Sequence, residues 1–130
     1  MEKPKLTMAQ HVAEAAAAFE EQRTGHTPQA VTVVLGDETL VITLHGALSP
    51  AERALARTPE GAAQVQDFHR QLFNDSADWL RQEIKRITGV DVREAKAEIE
   101  TTTGTVVQVF LLASGIPADT WNGSGIINSS

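Results

Sequence analysis

The 130-residue chain contains no cysteine, which excludes disulfides, thiolate nucleophiles and thiolate-held metals. It also lacks any apolar run approaching the roughly 18 residues of a membrane span. No direct membrane insertion is therefore expected. The first residues, MEKPKLTMAQ, have neither the apolar core nor the cleavage site of a secretory signal, and a cytoplasmic location is expected. Positive charge is in short supply: 11 Lys and Arg against 17 Asp and Glu give a net charge of −6. Nucleic acid is excluded as a partner on that balance, because phosphate contacts need a clustered basic surface.

Recognisable catalytic signatures are missing as well. The four histidines, His11, His26, His45 and His69, never stand four apart, and no His-Glu-x-x-His occurs, so no metal site is expected. No glycine-rich run ends in Lys-Ser or Lys-Thr, and Ser49 lacks a Gly-x-Ser-x-Gly setting. Neither a catalytic residue nor a cofactor is predicted.

What is present is ordinary globular material: 42% hydrophobic and 22% charged residues, enough for one core and against wholesale disorder. The pattern predicts a single domain over residues 1–113, with its core at 25–112. Residues 114–130, rich in Gly, Ser and Asn, read as a flexible tail.

TMAQHVAEAAAAFEEQR (residues 7–23) predicts a helix capped by Thr7 and stopped by Gly25, with Met8, Val12, Ala15 or Ala16, and Phe19 as its apolar stripe. Two alternating runs around GDE predict a hairpin over residues 30–45. Then LSPAERALARTPEG holds two helix starts. Ser49, Pro50 and Glu52 fit a capping box, and Thr58-Pro59-Glu60 repeats the signal. A short helix at 50–57 and a long one at 59–88, ended by Gly89, follow. The long helix is expected to bury Val65, Phe68, Leu72, Ser76, Trp79, Glu83 or Ile84, and Ile87, leaving His69 in solvent. A second hairpin, irregular near Arg93, closes the chain. Its first strand turns Ala95, Ala97 and Ile99 to the core and Glu94, Lys96, Glu98 and Glu100 to water.

The expected fold class is α+β: two hairpins form a four-stranded, mainly antiparallel sheet packed by a short and a long helix, plus the N-terminal helix. The second sheet face is expected to carry Thr32, Val34, Val41 and Thr43 with Val106, Gln108, Phe110 and Leu112. That face is too apolar for free solvation, so either the first helix or another subunit covers it.

Site candidates are few. His45 ends a strand beside the short helix and is the most site-like histidine, although a structural role outweighs catalysis. Arg53 and Arg57 are four apart and share a helix face, a geometry suited to an acidic partner or anion; Arg70 adds to the basic character of the long helix. The turn TTTGT (residues 101–105) offers hydroxyls or a backbone nest.

The order GHTP, a hairpin ending in LSPAE, then LARTPEG, then a long helix containing Arg70 and ending in ITGVDV resembles the MpsC-like family. Gly25, Pro28, Leu48, Pro50, Glu52, Leu55, Gly61, Arg70, Thr88 and Gly89 carry the resemblance, with Ser49 in place of the family's usual threonine. These small bacterial domains are named for a proposed subunit of a sodium-translocating, membrane-potential-generating system whose companion proteins are linked to bicarbonate uptake. The resemblance implies a non-enzymatic accessory or regulatory role beside a membrane transporter, and a homodimer is expected. The alternative is a small-anion binder or small enzyme with a site where Gly25–Pro28 and His45–Arg57 meet.

Overall fold

A computed structural model describes residues 6–122. Its elements are α1 (Met8–Thr24), β1 (Ala30–Gly36), β2 (Thr39–His45), α2 (Pro50–Leu55), α3 (Pro59–Thr88), β3 (Val92–Glu100), β4 (Thr105–Leu112) and α4 (Ala118–Asn122). The α+β expectation holds. All four strands form one antiparallel sheet in the order β1-β2-β4-β3.

Local chemistry places the helix ends. Thr7 and Gln10 form a reciprocal capping box at α1, Ser49 and Glu52 another at α2, and Thr58 accepts from the Gly61 N–H at α3. Each such cap is worth about 1 kcal/mol. Gly25 and Gly89 stop α1 and α3 in the left-handed conformation (φ 77° and 78°). The α2–α3 corner is tight: a Cβ on Gly61 would lie 1.8 Å from the backbone oxygen of Leu55. Only glycine fits that approach.

The core lies between the sheet and the helices. Leu40, Ile42 and Leu44 of β2 and Val106, Phe110 and Leu112 of β4 are buried against Val12, Ala16 and Phe19 of α1 and Val65, Phe73, Leu80 and Ile84 of α3. Phe73 is the hinge of the aromatic contacts, 6.1 Å from both the Phe19 and the Phe110 ring centres. On β3 the register shifts between Val92 and Glu94, so Arg93 bulges out and donates from Nε to the Leu112 carbonyl at 3.0 Å.

Three expectations need correction. First, the phase of β4 is reversed. Val106, Gln108, Phe110 and Leu112 face the core, while Val107, Val109 and Leu111 lie on the other face beside Thr32, Val34, Val41 and Thr43. Except for Gln108, every residue from Val106 to Leu112 is apolar, so alternation alone could not orient the strand. Second, α3 buries Gly61, Val65, His69, Phe73, Ala77, Leu80, Ile84 and Ile87, leaving Phe68 50% exposed. Third, His69, expected in solvent, is buried. Of the two covers open to the second sheet face, α1 is not one within this chain, since it packs on α3 and β1 on the helix side. At the other end of the chain, residues 114–122, read as part of a flexible tail, include α4. Its Trp121 is buried in the core. The rest of that expectation, residues 123–130, lies outside the described residues.

Candidate functional site

Two polar regions meet at α2, one buried and one open. The buried one centres on His69. The side chains of Glu20 (α1), Glu52 (α2) and His69 (α3) are only 6%, 18% and 7% exposed. His69 Nε2 lies 2.6 Å from Glu52 Oε2, and His69 Nδ1 lies 3.8 Å from Glu20 Oε2. The capping carboxylate of α2 thus has two tasks: Oε1 accepts from the Ser49 N–H at 3.0 Å, and Oε2 accepts from the imidazole. Glu20 brings α1 to the same point.

The electrostatics separate the two carboxylates. Burial pushes Glu20 up to about 7, and the charge of Glu52 adds to the rise. Burial pushes Glu52 up as well, but the Ser49 backbone N–H and the hydrogen bond and charge of His69 outweigh it and hold Glu52 below the usual carboxylate range. An ionised Glu52 can only accept, so the short contact fixes the proton on His69 Nε2. Glu20, raised to about 7, gains or loses a proton near neutrality.

Gln108 of β4, 1% exposed, lines the same small cavity as Glu20 and His69. Gln108 Oε1 and Glu20 Oε2 have no hydrogen-bond partner there. The cavity measures about 20 Å³, the room of a single water. Arg23, Arg70 and Glu98 line its outer part. An imidazole proton already closes the cluster's shortest pair, and among the described residues no three His, Asp or Glu side chains are placed to hold an ion.

The open region is at the end of the sheet. Arg53, Arg57 and the turn Thr101–Gly104 line one cleft; His26, His45, Arg53 and Thr103 line a second that adjoins it. The two share Arg53, Thr103 and Gly104. The Gly25–Pro28 turn does meet the His45 corner: His26 Nε2 is 3.0 Å from the Gly46 carbonyl, and the Gln29 N–H donates to the His45 carbonyl at 2.7 Å. His45 is exposed and its Nε2 is 3.1 Å from Thr32 Oγ1.

Of the four residues singled out from sequence, His45, Arg53 and Arg57 therefore gather at this end. Arg70 does not. It pairs with Asp67 and with Glu98 on β3, each at 3.1 Å, at the outer part of the buried cavity. Sequence reasoning missed Glu20, His69 and Gln108, and it assigned Glu52 to capping alone. A signal existed: Gly61, Val65, His69, Phe73 and Ala77 recur at intervals of four, and Glu20 follows Val12 and Ala16 at the same interval.

Comparison with known proteins adds the following. The family model described as "Na+-translocating membrane potential-generating system (MpsC)" matches residues 5–114. The chain is also similar to the uncharacterized protein YbcI of Bacillus subtilis (strain 168), with 23% identity over 116 residues, covering 89% of this chain and 94% of that relative. No solved structure matches.

Proposed function

Since this chain belongs to the MpsC family, we propose that it is a non-enzymatic, cytoplasmic accessory or regulatory domain of a membrane ion or bicarbonate uptake system. It works as a homodimer that presents one face of its sheet. No helix among the described residues is long and apolar enough to cross a membrane, so on this reading the ion path belongs to a partner protein.

The observation that supports the dimer is the uncovered sheet face. Strand pairing lines up Val34, Val41, Val109 and Lys96 in one row across all four strands, and Thr32, Thr43, Val107 and Glu98 in the next. Val34 is 57% exposed. An apolar centre bordered by charge is the composition of an interface rather than of a solvated sheet. Lys96 stands between Glu94 and Glu98 on the β3 edge, a pattern of alternating sign that a second copy can meet with its own.

Sedimentation equilibrium tests the oligomer, and a pull-down with transport assay tests the partner. The expected results are a dimer that Val109→Lys splits into folded monomers, and a transporter whose activity changes when the domain is withdrawn. A monomeric wild-type chain with no effect on the transporter would overturn the proposal.

A further inference from the structure

We infer that the cleft between α2 and the Thr101–Gly104 turn binds a small, soluble, phosphate-bearing compound, with the phosphate held by Arg53 and Arg57. This goes beyond the accessory role and does not depend on it, because the cleft lies at the end of the sheet and Val109 lines neither half of it.

The charge distribution carries the inference. The chain has 17 acidic residues and a net charge of −6, yet no Asp or Glu lines either half of this cleft. Arg70, Arg86 and Arg93 are each paired with a carboxylate, and Arg23 lies 5.2 Å over the Phe19 ring. Among the described residues Arg53, Arg57 and Arg81 have no such partner, and of these only Arg53 and Arg57 line one cleft. Both are exposed, Arg53 on α2 and Arg57 in the turn that follows it, and line the same cavity of about 330 Å³. The Thr102 and Thr103 hydroxyls already donate to Glu100 and Thr105, so the donors the cleft offers are the two guanidinium forks, and a phosphate with three acceptor oxygens answers them better than a carboxylate with two.

The wall facing the arginines is preorganised. Gly104 sits at φ 73°, its carbonyl accepts from the Ala47 N–H at 2.8 Å, and its own N–H donates to the Glu100 carbonyl at 2.8 Å. The turn is thereby tied to the chain that leads into α2, so little order has to be acquired on binding. Through Arg53 and Thr103 the cleft continues into a second cavity of about 470 Å³ with His26 and His45 on its wall. Both volumes fall within the range of about 300–1,000 Å³ typical of small-molecule sites. The two-part shape calls for a ligand longer than one phosphate. A small solute is preferred over a lipid headgroup because the net negative charge of the domain repels an anionic bilayer.

The test is calorimetric titration with inorganic pyrophosphate and with inorganic phosphate, alongside flotation with phosphatidylglycerol vesicles. Pyrophosphate is expected to bind saturably and about tenfold more tightly than phosphate, and the double variant Arg53→Gln/Arg57→Gln to lose at least about tenfold. Arg81→Gln, which removes one positive charge near the other end of α3, should bind like the wild type. The double variant should melt at the wild-type temperature, which separates loss of a site from loss of the fold. No saturable binding into the millimolar range, unchanged binding by the double variant, or binding to vesicles alone would overturn the inference.

Discussion

Glu52 and Arg53 are neighbours in the chain, and each opens onto a polar region of a different kind. Glu52 turns inward to a buried imidazole, and its hydrogen bonds to the Ser49 N–H and to His69 tie α2 to α3, while Glu20 of α1 lies 3.8 Å from the other imidazole nitrogen. Arg53 turns outward to a cleft with no carboxylate on its walls. Both regions contain histidine and charged side chains. The difference is solvent: in the buried cluster each unmet charge acts on the fold, whereas in the cleft water meets it. Polar residues on one six-residue helix therefore serve stability on one side and remain available for recognition on the other.

That contrast can be broken by mutation. The largest effect is expected from His69→Ala, which leaves two buried carboxylates facing each other without their shared partner. Denaturant unfolding at pH 7 should show a loss of about 3–5 kcal/mol; a loss under about 1 kcal/mol would mean that the three groups are not coupled. Ser49→Ala comes next. It removes the α2 cap and loosens the carboxylate that holds His69, and the same measurement should register about 1 kcal/mol. The smallest effect belongs to Arg53→Gln/Arg57→Gln, expected within about 0.5 kcal/mol of wild type. A larger destabilisation there would move the cleft from recognition to structure.

The same division explains what was legible in the sequence. Helix ends were readable because caps are local: Thr7, Ser49, Thr58, Gly25 and Gly89 each act within a few residues of themselves. The hairpin turns and the bulge at Arg93 were readable for the same reason. Arg53 and Arg57 also declared themselves through their spacing, although α2 ends at Leu55 and leaves Arg57 in the turn that follows. His69 did not. Its burial depends on Glu52, 17 residues away, and on Glu20, further still. An apolar template run along α3 passes over a histidine and selects Phe68 and Leu72 instead. The inward turn of Gln108 was hidden similarly, by a strand apolar on both faces. Polar groups in a core become visible only when the elements that satisfy them are brought together.

The most direct test of the buried carboxylate–imidazole cluster is stability against pH for the wild type and Glu20→Gln. Glu20 titrates near 7 in the folded chain against an ordinary 4.5. A carboxyl raised in this way favours the fold fully below 4.5, and that contribution disappears as pH rises through about 7. Glu52, shifted the other way, favours the fold above its ordinary range and loses its contribution as pH falls through its lowered value. Wild-type stability should therefore be greatest near pH 5 and fall by roughly 3 kcal/mol by pH 8, while Glu20→Gln holds nearly level across that interval. Equal slopes for the two chains would contradict the account.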